Sequence, residues 1–223
     1  MAIRIFSALY HAAALWVMAW GFSNLNTLAT NEWIEAQLGG HFQFLTIQGL
    51  ALAWITLFFA LTADFIPSLA FAQRAKRLFL MISLPLAMVI SSIYWGLLLT
   101  FPSLILPPLP SSEPSSSSAA PALARIPLSL DLALHASPAL SLVAEFFLME
   151  SKYSRHDVVY KAPIMACLFG LWYSNWVEYC AKYNGVFPYP FLTDNSLPGR
   201  IAIYVATTII ALTSFRGLNA IHS

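Results

Sequence analysis

The sequence predicts an all-α, polytopic membrane protein folded as a bundle of six transmembrane helices. Hydrophobic residues occupy 59% of its 223 positions and charged residues only 9%, whereas roughly 25% of a soluble domain is charged. With a mean hydropathy of +0.69, the chain has more apolar surface than a soluble globule of this length can bury. The net charge of +1 gives no reason to expect nucleic acid as a partner.

Six apolar stretches are predicted to cross the membrane, which makes residues 1–223 a single transmembrane domain. They are residues 5–22, 43–63, 78–101, 128–150, 162–181 and 200–215. The first stretch follows a basic residue, as in a signal peptide. However, Trp16, Met18 and Trp20 occupy the region in which a cleavage site needs small residues. We therefore expect the first helix to be retained.

The connection between the third and fourth spans, at about 102–127, differs in composition from the rest of the chain. Its central part is rich in proline and serine and low in complexity. Such a segment cannot bury a core, so the sequence predicts a disordered loop.

The basic residues predict which side of the membrane holds the chain termini. Six spans place both termini on one side, together with the links at 64–77 and 151–161. Eight of the eleven basic residues belong to that side: Arg4, Arg74, Lys76, Arg77, Lys152, Arg155, Lys161 and Arg216. The other three are Arg125, Lys182 and Arg200. By the positive-inside rule both termini are expected to be cytoplasmic, in either the plasma membrane or an internal membrane.

The fourth span carries three ionisable residues, Asp131, His135 and Glu145, on an otherwise apolar helix. At roughly 100° per residue they share one face within about 80°. Hydrocarbon cannot solvate such a stripe, so it must face protein or a water-filled cavity and indicates a functional site. Asp131 lies one turn before His135 and can orient its imidazole. Glu145 lies roughly 15 Å further along the helix, so we expect it to line a deeper cavity or to bind a neighbouring helix.

A nucleophile for this histidine has to come from another helix at a similar depth. Thr46 lies just inside the end of the second span that faces the same side as His135. Gly49 and Ala53 on the same helix form a pair of small residues that permits close helix packing. The structural alternatives remain open, because a membrane threonine usually bonds its own i−4 carbonyl and a membrane histidine can simply join helices. The five histidines are scattered, so we expect no metal, and no cofactor is needed.

Four segments resemble the androgen-induced / androgen-dependent TFPI-regulating family of multi-pass membrane threonine hydrolases. They are FQFLTIQ at 42–48, YWGLLLTFPSLILP at 94–107, LDLALHA at 130–136 and WVEYCAKYNGVFPYPFL at 176–192. The resemblance implies that Thr46 is the nucleophile and His135 the base, acting on fatty acid esters of hydroxy fatty acids. Animal members usually have Asn, His and Thr where this chain has Asp131, Leu132 and Ala136. These departures leave the hydrogen bonds around the histidine, and hence the choice of substrate, open.

Two functions follow from the sequence. The first is a membrane-embedded lipid ester hydrolase, in which Thr46 attacks the ester, His135 transfers the proton and Asp131 orients His135. The alternative is a non-enzymatic transporter or lipid-binding bundle that uses the same polar stripe as its binding site. The sequence names no oxyanion donor, although Gln43 is within reach of Thr46. The expected partner is a membrane lipid or fatty acid ester, and protein partners stay open.

Overall fold

The computed structural model describes residues 2–108 and 123–222. Helices dominate these residues. The long ones are α1 (Ala2–Ser23), α3 (Leu45–Phe65), α4 (Ala70–Thr100), a continuous helix over Leu128–Met149, α7 (Ala162–Asn184) and α9 (Leu197–Ile221). The continuous helix consists of α5 (Leu128–Asp131), a π-helical turn (Leu132–Ala136) and α6 (Ser137–Met149). Two short helices, α2 (Asn31–Glu35) and α8 (Pro190–Thr193), lie in the connections.

Successive long helices run in opposite directions, which gives the bundle two distinct ends. At one end Ser7 of α1 donates to Asp64 at the end of α3, and the Tyr153 N–H donates to Asn219 at the end of α9. We call this end the terminal side, because α1 begins and α9 ends there. We call the opposite end the loop side. It holds α2, α8 and the single 3₁₀ turns Leu25–Thr27, Gly40–Gln43 and Pro102–Leu104.

The prediction of an all-α polytopic membrane bundle is confirmed. Among the described residues, five helices are long and apolar enough to cross a membrane: Arg4–Thr27, Leu45–Phe65, Ala70–Thr100, Leu128–Met149 and Leu197–Ile221. The fifth predicted span corresponds to α7, which has 23 residues but is not among the five. Its C-terminal half carries polar residues, including Ser174, Asn175 and Glu178. It nevertheless packs antiparallel against α9, as contacts of Gly170 with Thr208 and of Glu178 with Arg200 show.

The third predicted span lies within a helix that is longer than its apolar stretch. Its helix, α4, begins at Ala70 rather than at residue 78, and extends without interruption through Pro85. The apolar stretch starts only after Arg77, but Ala72 and Ala75 are already buried and continue the packed face toward the terminal side. The low hydropathy before residue 78 therefore marks the N-terminal limit of the apolar stretch and not the start of the helix.

The core of the bundle lies between α1, α3, α4 and α6. Its fully buried side chains include Met18, Leu57, Leu84 and Phe146, one from each of these helices. The predicted close approach is confirmed at Gly49, since a Cβ there would collide with Ile90 of α4, and Ala53 on the same helix is fully buried. Within α9, in contrast, only Phe215 and Asn219 are buried. This helix is a peripheral member of the bundle.

The flanks of the predicted loop at 102–127 are ordered, which corrects the prediction of disorder for these parts. Ile105 and Leu106 are buried and pack in a small cluster with Tyr94. Pro108 and Leu123 form an antiparallel bridge. The flanks therefore close the loop side of the bundle. The prediction of disorder for the central part, 109–122, falls outside the described residues.

Candidate active site

Thr46 owes its position to a glycine turn on the loop side. Gly39 and Gly40 both have positive φ, 88° and 47°, a region that favours glycine. A Cβ on Gly39 would also lie only 2.9 Å from Cys180 Sγ of α7. The turn leads through Gly40–Gln43 into extended Phe44 and then into α3. Thr46, the second residue of α3, is thereby buried at the N-terminal end of the helix.

The structure brings Thr46, His135 and Asp131 together. His135 Nδ1 lies 2.7 Å from Asp131 Oδ1, and His135 Nε2 lies 3.4 Å from Thr46 Oγ1. All three residues are buried. If Nδ1 carries the proton donated to Asp131, Nε2 is left to accept the proton of the Thr46 hydroxyl. The 3.4 Å separation is long for such a bond, as is common in catalytic sites without substrate.

A π-helical turn presents His135 to this site. The turn, Leu132–Ala136, ends two residues before Pro138. A proline has no N–H to donate to the carbonyl four residues earlier, and its ring clashes with that carbonyl. A wider turn relieves the clash, and such turns are frequent at functional sites. The second π-helical turn of the described chain, Asp157–Lys161, likewise ends two residues before a proline, Pro163.

Tyr94 of α4 covers the imidazole of His135. The two rings are parallel within 1° and their centroids are 3.4 Å apart. The Tyr94 hydroxyl is buried and has no hydrogen-bond partner among the described residues. Sequence reasoning assigned no role to Tyr94, although it is the first residue of a segment that carries the family resemblance. Its aromatic ring restrains the plane of the imidazole, while Asp131 restrains its rotation.

Tyr189, in the connection between α7 and α9, lies at the start of α3 beside Thr46. Its hydroxyl oxygen accepts a hydrogen bond from the Leu45 N–H at 3.0 Å. Burial raises the pKa of Tyr189, and hydrogen bonding with the side chain and backbone of Thr46 opposes this rise. Sequence reasoning missed this residue too. The Tyr-Pro pair at 189–190 was the available signal, but a single sequence does not show that the hydroxyl meets α3.

Two apolar cavities meet at this site. The first has a volume of about 130 Å³ and lies between α3, α4, α7 and α9, with Met81, Phe169 and Ile203 in its wall. The second, of about 90 Å³, lies beneath the connections of the loop side. Both are bordered by the same four residues: Thr46, Tyr94, Ile105 and Tyr189. The Thr46 hydroxyl is therefore placed where two apolar spaces adjoin.

Glu145 is not part of this site. It is fully buried near the terminal side, where its two oxygens bind His11 Nε2 at 2.7 Å and Lys76 Nζ at 2.9 Å. His11 Nδ1 in turn lies 2.7 Å from Asp64, and Lys76 also pairs with Glu150 at 2.8 Å. Glu145 thus does both things expected of it: it binds neighbouring helices and lines a cavity, here a polar one of about 450 Å³. Sequence reasoning missed His11, which is only one of five scattered histidines in the sequence.

Two further buried or partly buried polar residues, Gln43 and Glu178, have partners away from the Asp131–His135–Thr46 line. Gln43 is buried, but its side-chain amide donates to Gln37 Oε1 at 2.7 Å. Glu178 of α7 accepts hydrogen bonds from Arg200 and Tyr204 of α9, and so joins these two helices. One of the two N–H groups of the Gln43 amide is therefore already engaged by Gln37.

Comparison with known proteins places this arrangement in a family. A UPF0641 membrane protein of Schizosaccharomyces pombe is 24% identical over 222 residues, which cover 98% of this chain and 91% of that protein. No solved structure matches the chain. A family model described as FAR-17a/AIG1-like protein matches residues 6–223. This match begins within α1 and covers the other long helices and all the residues of the site, and the chain therefore belongs to the FAR-17a/AIG1-like family.

Proposed function

We propose that this membrane protein is a lipid ester hydrolase that uses Thr46 as its nucleophile and His135 as its general base. The observation that carries the proposal is the buried line from Asp131 through His135 to the Thr46 hydroxyl, with separations of 2.7 and 3.4 Å. A hydroxyl is a weak nucleophile unless a positioned base takes its proton, and the base needs a third group to orient it. Each of these three requirements has a residue here.

The proposed reaction proceeds in two stages. Thr46 Oγ1 attacks the ester carbonyl carbon while its proton passes to His135 Nε2. The tetrahedral intermediate then expels the alcohol oxygen, which takes the proton from His135, and an acyl-threonine remains. Water next attacks the acyl carbon and gives a proton to His135, which returns it to Thr46 as the carboxylic acid leaves. Asp131 stabilises the imidazolium that forms in both stages.

We propose fatty acid esters of hydroxy fatty acids as the substrate class. These esters have an apolar chain on each side of the scissile bond, and Thr46 borders two apolar cavities. The family resemblance described above implies the same substrates. Entry from the bilayer fits the position of the larger cavity, which is formed between the spanning helices.

Labelling with a fluorophosphonate, which reacts with activated hydroxyl nucleophiles, tests the proposal together with direct assay of ester hydrolysis. Thr46→Ala and His135→Ala should each abolish labelling and lower hydrolysis by roughly 10³-fold or more. Because residues that act as one unit are not additive, the double variant should be no less active than either single variant. Asp131→Asn should be milder, since the amide can still accept a hydrogen bond from the imidazole.

Thr62→Ala is the matched control, because Thr62 lies on the same helix and its hydroxyl donates to the Phe58 carbonyl at 2.8 Å. It should retain both labelling and hydrolysis. Parent-rate hydrolysis by folded Thr46→Ala protein would overturn the proposal. A parent protein that binds lipid but neither hydrolyses esters nor reacts with the probe would favour the transporter or lipid-binding alternative.

A further inference from the structure

Attack by Thr46 on an ester carbonyl places negative charge on the carbonyl oxygen, and this charge needs a hydrogen-bond donor. We propose that the Tyr189 hydroxyl is that donor, and the inference rests on the proposed function of Thr46. No other part of the mechanism described above supplies this hydrogen bond. Donors that are already positioned before the reaction contribute most to such stabilisation, because they need no reorganisation as the charge develops.

Hydrogen bonding fixes the Tyr189 oxygen and leaves its proton available. A phenolic hydroxyl both accepts and donates. Its oxygen accepts from the Leu45 N–H at 3.0 Å, so the hydroxyl is anchored to the residue that directly precedes the nucleophile. With its acceptor side used by the start of α3, the hydroxyl can direct its proton toward Thr46 and the adjoining cavities.

Aromatic packing fixes the direction of the Tyr189 side chain. Its ring meets Phe44 edge to face, with centroids 5.5 Å apart, and stacks on Phe191 at 5.4 Å. Phe44 immediately precedes α3, and Phe191 lies in α8. The ring is thus held between the segment that delivers the nucleophile and the connection from which Tyr189 itself comes. This packing supplies the rigidity that an oxyanion donor requires.

The cavities put a bound ester within reach of this hydroxyl. Thr46 and Tyr189 both border the first cavity and the second. An ester whose two chains occupy the two cavities therefore has its carbonyl carbon beside Thr46, and its carbonyl oxygen can face Tyr189. In both stages Tyr189 donates a hydrogen bond to the oxyanion and keeps its proton. The proton that moves is the one exchanged between Thr46, His135, the leaving alcohol and water.

Other donors near the site are less suitable. The amide of Gln43 donates to Gln37. The Tyr94 hydroxyl also borders both cavities, but no hydrogen bond within the described chain holds it in place. Tyr189 is the hydroxyl anchored beside the nucleophile itself.

Tyr189→Phe is the direct test, because it removes the hydroxyl and keeps the ring packing. We expect kcat to fall by roughly 10²–10³-fold with little change in KM. A trifluoromethyl ketone lipid, which forms a tetrahedral oxyanion with the nucleophile, should lose inhibitory potency in proportion to kcat/KM. A lipid ether of the same length, which lacks the carbonyl, should bind as it does to the parent. Tyr153→Phe is the matched control, since it removes a buried hydroxyl that binds the Arg77 carbonyl near the terminal side.

A second measurement avoids removing the hydroxyl. Tyr189 is replaced by 3-fluorotyrosine in otherwise native protein, and its ¹⁹F resonance is recorded in detergent. The resonance should shift when the trifluoromethyl ketone adduct forms, and stay in place with the ether. A resonance that does not respond to the adduct, or a Tyr189→Phe protein with parent kcat beside an inactive Thr46→Ala protein, would overturn the role of Tyr189 alone. Active Thr46→Ala protein would instead overturn the proposed function.

Discussion

The imidazole of His135 is restrained from two directions, and the contribution of each restraint can be separated. Asp131 holds one ring nitrogen at 2.7 Å, while the Tyr94 ring lies parallel to the imidazole at 3.4 Å. A base that can turn out of the plane no longer directs Nε2 at Thr46. Such restraint matters for catalysis, because a small displacement of a catalytic group lowers the reaction rate by a large factor.

We predict that Tyr94→Leu lowers kcat by about 10- to 100-fold, because the imidazole loses the flat surface that orients it. Tyr94→Phe should retain most of the activity. It keeps the ring and removes a buried hydroxyl that has no hydrogen-bond partner within the described chain, so the free energy of unfolding should not decrease. Steady-state kinetics and unfolding in mixed micelles measure the two effects. Equal activity of the leucine and phenylalanine variants would contradict a positioning role for the ring.

For individual residues, the sequence predicts the contacts between side chains that belong to the same helix. Asp131 and His135 are four positions apart on one helix, so their contact follows from helix geometry. Thr46 follows from topology, because its helix enters from the same side as His135. Tyr94 and Tyr189 reach the site through the exit of α4 and an irregular connection. No periodic pattern in the sequence predicts that either tyrosine contacts the site, and the roles of Tyr94 and Tyr189 therefore could not be derived from the sequence.

Among the elements, the π-helical turn Leu132–Ala136 determines the presentation of His135, and α1 packs directly against it. A Cβ on Gly21 of α1 would lie 3.1 Å from Ala133 Cβ and 3.3 Å from Leu134 Cδ2. Ala133 Cβ cannot move unless the backbone of Ala133 moves with it. A uniform 100° per residue places the three ionisable groups on one face, but it does not reveal this turn. The signal for the turn is Pro138, which removes one backbone hydrogen bond.

We predict that Gly21→Ala reduces hydrolysis and that Gly21→Val reduces it further, because each added atom pushes the turn and its histidine away from Thr46. Overpacking of this kind typically costs about 1–3 kcal/mol of stability. Gly96→Ala is the control, since a Cβ on Gly96 of α4 would meet nothing within 4 Å. Hydrolysis and thermal unfolding should be measured on all three proteins. Full activity of Gly21→Val would show that the turn adjusts without moving His135.

In the molecule as a whole, two polar centres occupy opposite ends of the bundle. The loop side holds the Asp131–His135–Thr46 line, and the terminal side holds the buried ion cluster around Glu145. His11 of α1 joins Asp64 of α3 to Glu145 of α6 through contacts of 2.7 Å on both ring nitrogens. Each contact needs a proton between nitrogen and oxygen. Lys76 of α4 also binds Glu145, so the cluster connects four helices through groups that cannot be removed singly without leaving a buried charge.

We predict that His11→Leu strongly destabilises the bundle, by about 3–5 kcal/mol, because Glu145 and Asp64 lose a shared buried partner. Lys161→Ala is the comparison, since it breaks a pair with Asp157 in which the lysine is 56% exposed. That variant should unfold like the parent. Unfolding in mixed micelles, followed by circular dichroism, provides the measurement. Parent stability of His11→Leu would show that the cluster does not hold the helices together.

The orientation of the whole bundle is also testable. Eight of the eleven basic residues belong to the terminal side or its links, so we predict that this side faces the cytoplasm. With Cys167 and Cys180 replaced, single cysteines are introduced at Ser68 on the terminal side and at Ser196 on the loop side, both of which are exposed. In sealed vesicles of known orientation, an impermeant thiol reagent should reach only one of them. Equal access to both would contradict a six-span arrangement.

Composition and hydropathy were sufficient to predict the membrane fold, because the cost of placing backbone and charge in hydrocarbon restricts the architecture. They were insufficient for α7 and for the start of α4. Polar residues in α7 bind within the bundle, as Glu178 does with Arg200, and so lower the hydropathy of a helix that still packs with the others. The first turns of α4 extend beyond the apolar stretch for the complementary reason, since Lys76 is neutralised by Glu145 and Glu150.

The position of the larger of the two apolar cavities has a kinetic consequence. It is enclosed by α3, α4, α7 and α9, and under the proposed function an ester that enters it from the bilayer would meet the protein as a component of a two-dimensional solution. The rate then depends on the mole fraction of ester among the surrounding lipids and not on the amount of ester per volume of buffer. Inert lipid or detergent added at constant total ester would dilute the substrate at the surface and slow turnover. Rates measured in different micelles can be compared only when the substrate is expressed as its mole fraction in the micelle.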